Sequence, residues 1–442
     1  MNLIGDLSNL TENAIDKIEG DISGNMPLKK RNEWLNFEKN EILLLISYFL
    51  FGIAFANYEP YAPLWLNQVF QEDSFLIIGF VVIISSIFGA IGSPIWGLLA
   101  DKFGAKKFVI IGMSAFSLMF LSLIFINSTT YFLLLILLGF LIGSAQTANL
   151  FVLATKSTSK SKEVIFAKFT MVVSFAYAIF SPLAGWIYDI SEYSMIIQLS
   201  ISSATSFIAA LIIFFVKEKT LEPIEEEQIK KPIEKKSITA VPLIFTGLMI
   251  LTFLFQNGLG FWAFSTIYFL DTMKIKGVYF SIFIILKMVF AIPISFLLGR
   301  VKRKKIMGIV LSCFTSYFVL VYILMTILPN QWILLIICNS IPIYPLYNVI
   351  LYGLTTTYSH EERRATAYGI FNAIGTLGYI TGIIILGVIA DHWLTSKYTG
   401  IFSMFPMSIV LSGVAFLTVL LFYLIVLRKK EINNDVKILA EE

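Results

Sequence analysis

The chain has little of what soluble enzymes are built from. Only 14% of its 442 residues are charged, where a water-soluble domain carries about a quarter. It has two cysteines, Cys313 and Cys338, both inside apolar runs. Two such cysteines make neither a disulfide framework nor a metal site, and they read as small apolar filler. It has two histidines, His360 and His392, in separate predicted loops, so no histidine cluster exists and no metal site is expected. No Gly-x-x-x-x-Gly-Lys-Ser/Thr loop occurs, so nothing is there to cradle a nucleotide's phosphates. No nucleophile, base and acid recur on one predicted face, so no catalytic residue is assigned and neither an enzyme nor a cofactor is expected. Residues 1–40 are polar, mixed in charge and without the apolar core of a signal peptide, so this tail is expected to stay on.

What the chain has is apolar length. It is 57% hydrophobic, with a mean hydropathy of +0.81. Apolar runs fill residues 42–66, 75–100, 106–126, 130–154, 164–188, 195–216, 241–269, 277–299, 305–328, 331–356, 365–390 and 401–427. Each is near the length that a bilayer core requires. The sequence therefore predicts an all-α polytopic membrane protein with twelve transmembrane helices, and the lipid bilayer is its first partner.

Placement of Lys and Arg sets the orientation. With both termini inside, 29 of the 33 basic residues fall on the cytoplasmic side. Lys274, Lys276 and Lys397 fall outside, and Lys287 lies within a span. The longest internal loop, 217–240, carries Glu225-Glu226-Glu227, several lysines, Pro223 and Pro232, a composition that suits a solvated linker. The expected organisation is a cytoplasmic tail (1–41), a six-helix bundle (42–216), a cytoplasmic linker (217–240), a second six-helix bundle (241–427) and a cytoplasmic tail (428–442). The expected location is the cell membrane.

The two halves repeat weakly, as transporter folds do. Ser93-Pro94-Ile95 enters the end of the second span and Ile292-Pro293-Ile294 that of the eighth. Each is followed by a leucine pair and a basic cluster, with Arg300 in the second copy where the first has Asp101. The fifth span ends Gly185-Trp186-Ile187-Tyr188-Asp189 and the eleventh Gly387-Val388-Ile389-Ala390-Asp391.

Between the second and third spans lies Gly97-Leu98-Leu99-Ala100-Asp101-Lys102-Phe103-Gly104-Ala105-Lys106-Lys107. This hairpin, Gly-x-x-x-Asp-Lys-x-Gly-x-Lys-Lys, resembles the loop signature of the major facilitator superfamily, with Ala105 standing where the family usually has a basic residue. The stretch from Glu361 to Gly369 and the Gly-rich span after it also resemble the family pattern, so the likeness covers about residues 42–427. The resemblance implies two pseudo-repeated six-helix bundles around a central site, and transport by alternating access. It implies a conformational latch at Gly97, Asp101, Lys102, Gly104 and Lys106 that helps hold the outward-open state. Without the resemblance, Asp101 reads as a helix end with solvated charges.

Candidates for coupling and substrate binding come from polar residues at depth. Glu59, in Asn57-Tyr58-Glu59-Pro60-Tyr61-Ala62-Pro63, sits roughly 10 Å below the outer end of the first span. A carboxylate there is costly and functional by default, or it reaches water near the interface. Lys287, ten residues into the eighth span, costs on the order of 3 kcal/mol if unpaired. It should hold an anionic group, pair with Glu59, or serve as a structural ion pair. Gln146 and Asn149 in the fourth span and Tyr344 and Asn348 in the tenth add polar groups at helical spacing, and Gln256 and Asn257 add an adjacent pair in the seventh. In the family these spans line the central cavity; interhelical hydrogen bonding is the plainer account of them.

Departures matter as well. Many drug antiporters of the family carry an arginine in the fourth span where this chain has Gly139. Their fifth-span Gly-Pro-x-x-Gly-Gly is here Ser181-Pro182-Leu183-Ala184-Gly185-Trp186. The reading at this stage is a monomeric secondary transporter of a small organic solute, with protons on Glu59 as the favoured driving ion and no nucleic-acid partner. A drug-efflux antiporter and a non-transporting membrane sensor on the same scaffold remain open.

Overall fold

The computed structural model describes residues 37–63, 65, 74–125, 137–143, 147–158, 162–191, 194–218, 240–265, 267–298, 304–328, 331–340, 350, 364–393 and 397–422. Residues 40–442 form one compact unit. Among the described residues the regular structure is helical: α1 (Lys39–Tyr58), α2 (Phe75–Phe103), α3 (Ala105–Leu123), α4 (Thr147–Ser157), α5 (Lys162–Ile190), α6 (Ile196–Ile213), α7 (Ala240–Gly258), α8 (Gly277–Leu298), α9 (Lys304–Ile327), α10 (Trp332–Asn339), α11 (Arg364–His392) and α12 (Lys397–Phe422). Nine helical stretches among the described residues are long and apolar enough to cross a membrane.

Each helix is explained by its composition and its ends. Ser74 starts α2, its hydroxyl accepting the Ile77 amide at 3.2 Å. Gly104 separates α2 from α3 at φ +89°, a conformation that glycine adopts without steric cost. The Glu218 carboxylate, just beyond α6, accepts the Ala105 and Lys106 amides at 2.9 and 3.1 Å and so caps α3. Pro94, Pro182, Pro293 and Pro406 lie inside α2, α5, α8 and α12, each removing one helical hydrogen bond.

Two expected helices differ in the structure. The first run was to continue to residue 66, but α1 stops at Tyr58 and Glu59–Tyr61 are turns. Pro60 lacks the amide that would extend the ladder and restricts Glu59 before it. The seventh run was to be continuous over 241–269. Instead α7 ends at Gly258, followed by a 3₁₀ turn (Gly260–Phe264) and a π-helical turn (Ile267–Thr272). Gly258 and Gly260 weaken the helix there. A Cβ on Gly260 would also come within 2.5 Å of the Gly382 backbone of α11. His392, expected in a loop, is the last residue of α11.

Within the first six helices α3 packs on α6, and within the last six α9 packs on α12 and α7 on α11. The first half is filled by edge-on rings, with Phe51 and Phe55 each 5.0 Å from Phe116. The second half is filled by Phe261, Tyr268 and Phe405, whose centroids lie 5.2 to 6.1 Å apart. The halves meet along two seams, α2 against α11 and α5 against α8. Large apolar side chains such as Ile46, Leu118, Phe175, Phe207 and Leu417 point outward and exposed. A surface of this kind suits lipid, since water tolerates few such patches.

Candidate functional site

Carboxylates close the α2–α11 seam at both ends and the α5–α8 seam at one. In the α2–α11 seam, Asp101 lies in the last turn of α2 beside the start of α11. Its carboxylate accepts the Ala365 amide at 3.0 Å, the Thr366 amide at 2.8 Å and the Thr366 hydroxyl at 2.6 Å. These amides belong to the first helical turn, which has no acceptor of its own and carries the positive end of the helix dipole. One turn earlier, Gly97 lies so close that a Cβ would overlap the Ala365 carbonyl oxygen. The absence of a side chain therefore lets Asp101 reach its partners.

The other end of the same pair is built in reverse. Asp391, in the last turn of α11, accepts the Phe75 amide at 2.7 Å, the Leu76 amide at 3.2 Å and the Ser74 hydroxyl at 2.6 Å. Gly387, one turn earlier, lies against Leu76, where a Cβ would approach the Leu76 Cα to 2.9 Å. On that same face the α5–α8 seam repeats the device. Asp189 near the end of α5 accepts the Gly277 amide at 3.1 Å, and Gly185 packs against the Gly277 carbonyl and the hydroxyls of Tyr61 and Ser281. The buried Tyr61 hydroxyl bonds Ser281 Oγ at 2.7 Å, and Ser281 Oγ donates to the Ser181 carbonyl at 3.1 Å.

Beneath the Tyr61–Ser281 contact lies a charged centre. Glu59 follows α1 directly; its carboxylate is exposed and accepts the Tyr177 hydroxyl of α5. Lys287, six residues along α8 from Ser281, places its ammonium 4.7 Å from the Trp262 ring centroid and 5.6 Å from that of Phe283. The two rings lie 8° from parallel with centroids 5.8 Å apart. Such ring faces attract a cation. Glu59 and Lys287 influence each other electrostatically but make no ion pair within 4.0 Å. Of the alternatives open for Lys287, direct pairing with Glu59 is thus not what the structure shows; the carboxylate and the ammonium belong to opposite halves. Trp262 Nε1 and the Asn257 side-chain oxygen are buried here without a partner among the described residues.

The remaining candidates fall as follows. Lys102 is exposed, 5.3 Å from the Phe103 ring. Lys106 donates to the Phe214 carbonyl at 2.7 Å and stays within its own half. Gln256 is half-buried and Asn257 buried, both in the last turn of α7. Gln146, Tyr344 and Asn348 lie outside the described residues, as does the side chain of Asn149. In the sequence Asp189 and Asp391 stand out only as a repeat, and Ser74, Tyr61, Ser281 and Tyr177 carry no signal of their own. One signal was available for the aspartates. Gly97/Asp101, Gly185/Asp189 and Gly387/Asp391 share the spacing Gly-x-x-x-Asp at a helix end.

The sequence profile of the Major Facilitator Superfamily matches residues 44–383 and again 276–438. The chain belongs to this family. It is similar to Multidrug resistance protein MdtG of Salmonella arizonae, with 26% identity over 230 residues, which is 51% of this chain and 56% of the relative. MdtG of Salmonella paratyphi C is 27% identical over the same length. The match thus spans little more than half of these curated relatives. Among solved structures, the human organic anion transporter MFSD10 (TETRAN) superposes with a TM-score of 0.64 at 12% identity, over 87% of this chain and 100% of that one. Nucleoside transporter NupG superposes with a TM-score of 0.58 at 16% identity, over 87% of this chain and 99% of that one. These likenesses show the fold. The chain is a multi-pass membrane protein of a transporter family.

Proposed function

We propose that this facilitator-family protein is a secondary active transporter of a small organic solute, working by alternating access and coupled to protons through Glu59. The observation that carries the reading is the reciprocal capping of α2 and α11. Each cap joins one half to the other and exists only while that face is closed. Rocking the halves about the central site separates one end of the seam while the other holds. The lysine and arginine distribution assigns the Asp101 face to the cytoplasm and the Asp391 face to the exterior, with both termini cytoplasmic in the cell membrane. Asp101 then stabilises states closed to the cytoplasm, while Asp391 and Asp189 stabilise states closed to the outside. Here the α2–α11 seam is capped at both ends.

Glu59 suits proton coupling because it is a carboxylate at membrane depth that remains accessible, held by one phenol rather than locked into an ion pair. The likeness to proteins named for multidrug resistance favours export over import.

The test is proton movement in proteoliposomes, read by an internal pH dye, against pools of small solutes. A pool-dependent pH change that Glu59→Gln removes supports the reading. Silence with every pool, followed by absence of radiolabelled counterflow with correctly inserted protein, favours a non-transporting sensor.

A further inference from the structure

We propose that the solute is a zwitterion with an aromatic body, its amine on Glu59 and its anionic group on Lys287. This rests on the reading of the central charged site as the transport site. Three features of the site point to the class.

The first is Lys287. An ammonium has three N–H donors and no acceptor capacity. Among the described residues it meets two ring faces and no hydrogen-bond acceptor. Aromatic faces attract the charge without satisfying the donors, so the group is left able to take an anionic oxygen.

The second is Glu59. It accepts one phenol hydrogen and is otherwise exposed, and a carboxylate has room for several donors. The ionisable groups that act on it are Tyr58 beside it, Tyr177 of α5 and Lys287 of α8. None of these fills its remaining lone pairs with an ion pair. The carboxylate and the ammonium stand on opposite halves, near enough to influence each other and too far apart to close directly.

The third is the aromatic pair beside Lys287. The half-buried Trp262 ring stacks nearly parallel on the buried Phe283 ring, at the point where α7 breaks into 3₁₀ and π turns. Irregular backbone at membrane depth is tolerated where it lines a cavity, and π turns cluster at functional sites. Trp262 Nε1 is a buried donor, and Asn257, in the last turn of α7, carries a buried acceptor.

With Glu59 ionised, a solute carrying one charge brings a like charge up to either Glu59 or Lys287. A zwitterion satisfies both. It also draws the two halves together, because its amine sits on the first and its anionic group on the second. The amine and a proton compete for one carboxylate, so they cannot travel together. The proton leaves Glu59 to the water of the compartment where the amine arrives. Exchange follows: the zwitterion moves one way and the proton the other.

An indole series separates the charge states while holding the body constant: tryptophan as zwitterion, tryptamine as cation and 3-indolepropionate as anion. Their binding to purified full-length protein is measured by calorimetric titration. The wild-type protein should hold tryptophan at least tenfold more tightly than the other two. Glu59→Gln should shift the preference to 3-indolepropionate, and Lys287→Gln to tryptamine, each with unchanged melting temperature and elution volume. Equal affinity for all three, equal losses for all three in both variants, or no binding of any by folded wild-type protein would each overturn the proposal. Flux keeps the two readings apart. If the indoles bind as expected but tryptophan does not exchange across proteoliposomes, the ligand class stands and the transporter reading falls. If another solute pool moves protons while no indole binds, the transporter reading stands and the ligand class falls.

Discussion

Asp101 and Asp391 sit at opposite ends of one antiparallel helix pair, and each caps the helix whose far end carries the other. Asp101 closes α2 onto the start of α11, and Asp391 closes α11 onto the start of α2. A cap is worth about 1 to 2 kcal/mol, which is roughly a 5- to 30-fold change in a two-state ratio. The two residues should therefore bias the transport cycle in opposite directions. Asp101→Ala should raise the inward-open population by about that factor, and Asp391→Ala the outward-open population. Electron–electron distance distributions between spin labels on each face, in protein lacking Cys313 and Cys338, read both. Shifts of the same sign would show that the aspartates stabilise the fold without steering it. Asp101→Asn keeps one acceptor oxygen and turns the other into an NH2 that faces a donor, so it should shift the population in the same direction as Asp101→Ala.

The glycines give a second handle on the same motion. A methyl group on Gly97 would occupy the place of the Ala365 carbonyl, a backbone atom that cannot swing aside. Gly97→Ala should hinder closure of the Asp101 face while sparing the Asp391 face. Alkylation of a cysteine placed in the cytoplasmic half of the central site should speed up, and transport should slow with little change in substrate affinity. Unchanged alkylation would mean that the seam opens around the methyl.

Much of the scaffold was legible because lipid imposes a simple rule, about twenty apolar residues for each crossing. The runs over 75–100 and 277–299 match α2 and α8 within a few residues. Local chemistry overrode the rule where prolines and glycines interrupt the helix, at Pro60 after α1 and at Gly258 and Gly260 after α7. Hydropathy cannot register a missing amide or a close approach by α11. The site was legible in part for the same reason. Glu59 and Lys287 stand out as charges in apolar runs. Tyr177, Tyr61 and Ser281 are ordinary in composition, and their role depends on α5 and α8 meeting. The capping aspartates lay between these cases: the Gly-x-x-x-Asp spacing was visible three times, but only the packed helices reveal what the carboxylate reaches.

The Tyr61 hydroxyl bonds Ser281 across the two halves in a buried setting. A net hydrogen bond of this kind contributes about 1 kcal/mol. Tyr61→Phe preserves the ring stacked on Tyr188 at 5.1 Å and removes that bond together with the longer 3.5 Å contacts to the Ser181 and Gly277 carbonyls. The outward-open population should rise by roughly fivefold, measured with the same spin labels. No shift would mean that Asp189 and its Gly277 contact hold this seam unaided.

Glu41 of α1 and Lys168 of α5 form a buried ion pair at 2.6 Å, with side chains 3% and 6% exposed. Removing one partner strands the other charge, at a cost of about 3 to 5 kcal/mol. Lys168→Met should lower the melting temperature in detergent markedly. The double variant Glu41→Gln/Lys168→Met should recover much of the loss, because no bare charge remains. A double variant less stable than Lys168→Met would show that the pair itself, and not the stranded carboxylate, matters to the fold.

Glu59 and its phenol partner make the last case, because charge and hydrogen bonding can be separated there. Glu59→Gln is nearly isosteric and keeps an acceptor for the Tyr177 hydroxyl, so the fold should survive. It cannot exchange a proton, and any solute flux that remains should be indifferent to the pH gradient. Counterflow, which needs no net proton movement, should persist for a solute that binds without the charge. Tyr177→Phe leaves the carboxylate free to titrate, so coupling should remain, with a changed pH dependence of transport. Proton movement measured by internal dye in both variants, alongside counterflow, separates the roles. Coupled flux preserved in Glu59→Gln would remove this carboxylate from the coupling step and turn the search to the polar residues of the fourth and tenth spans.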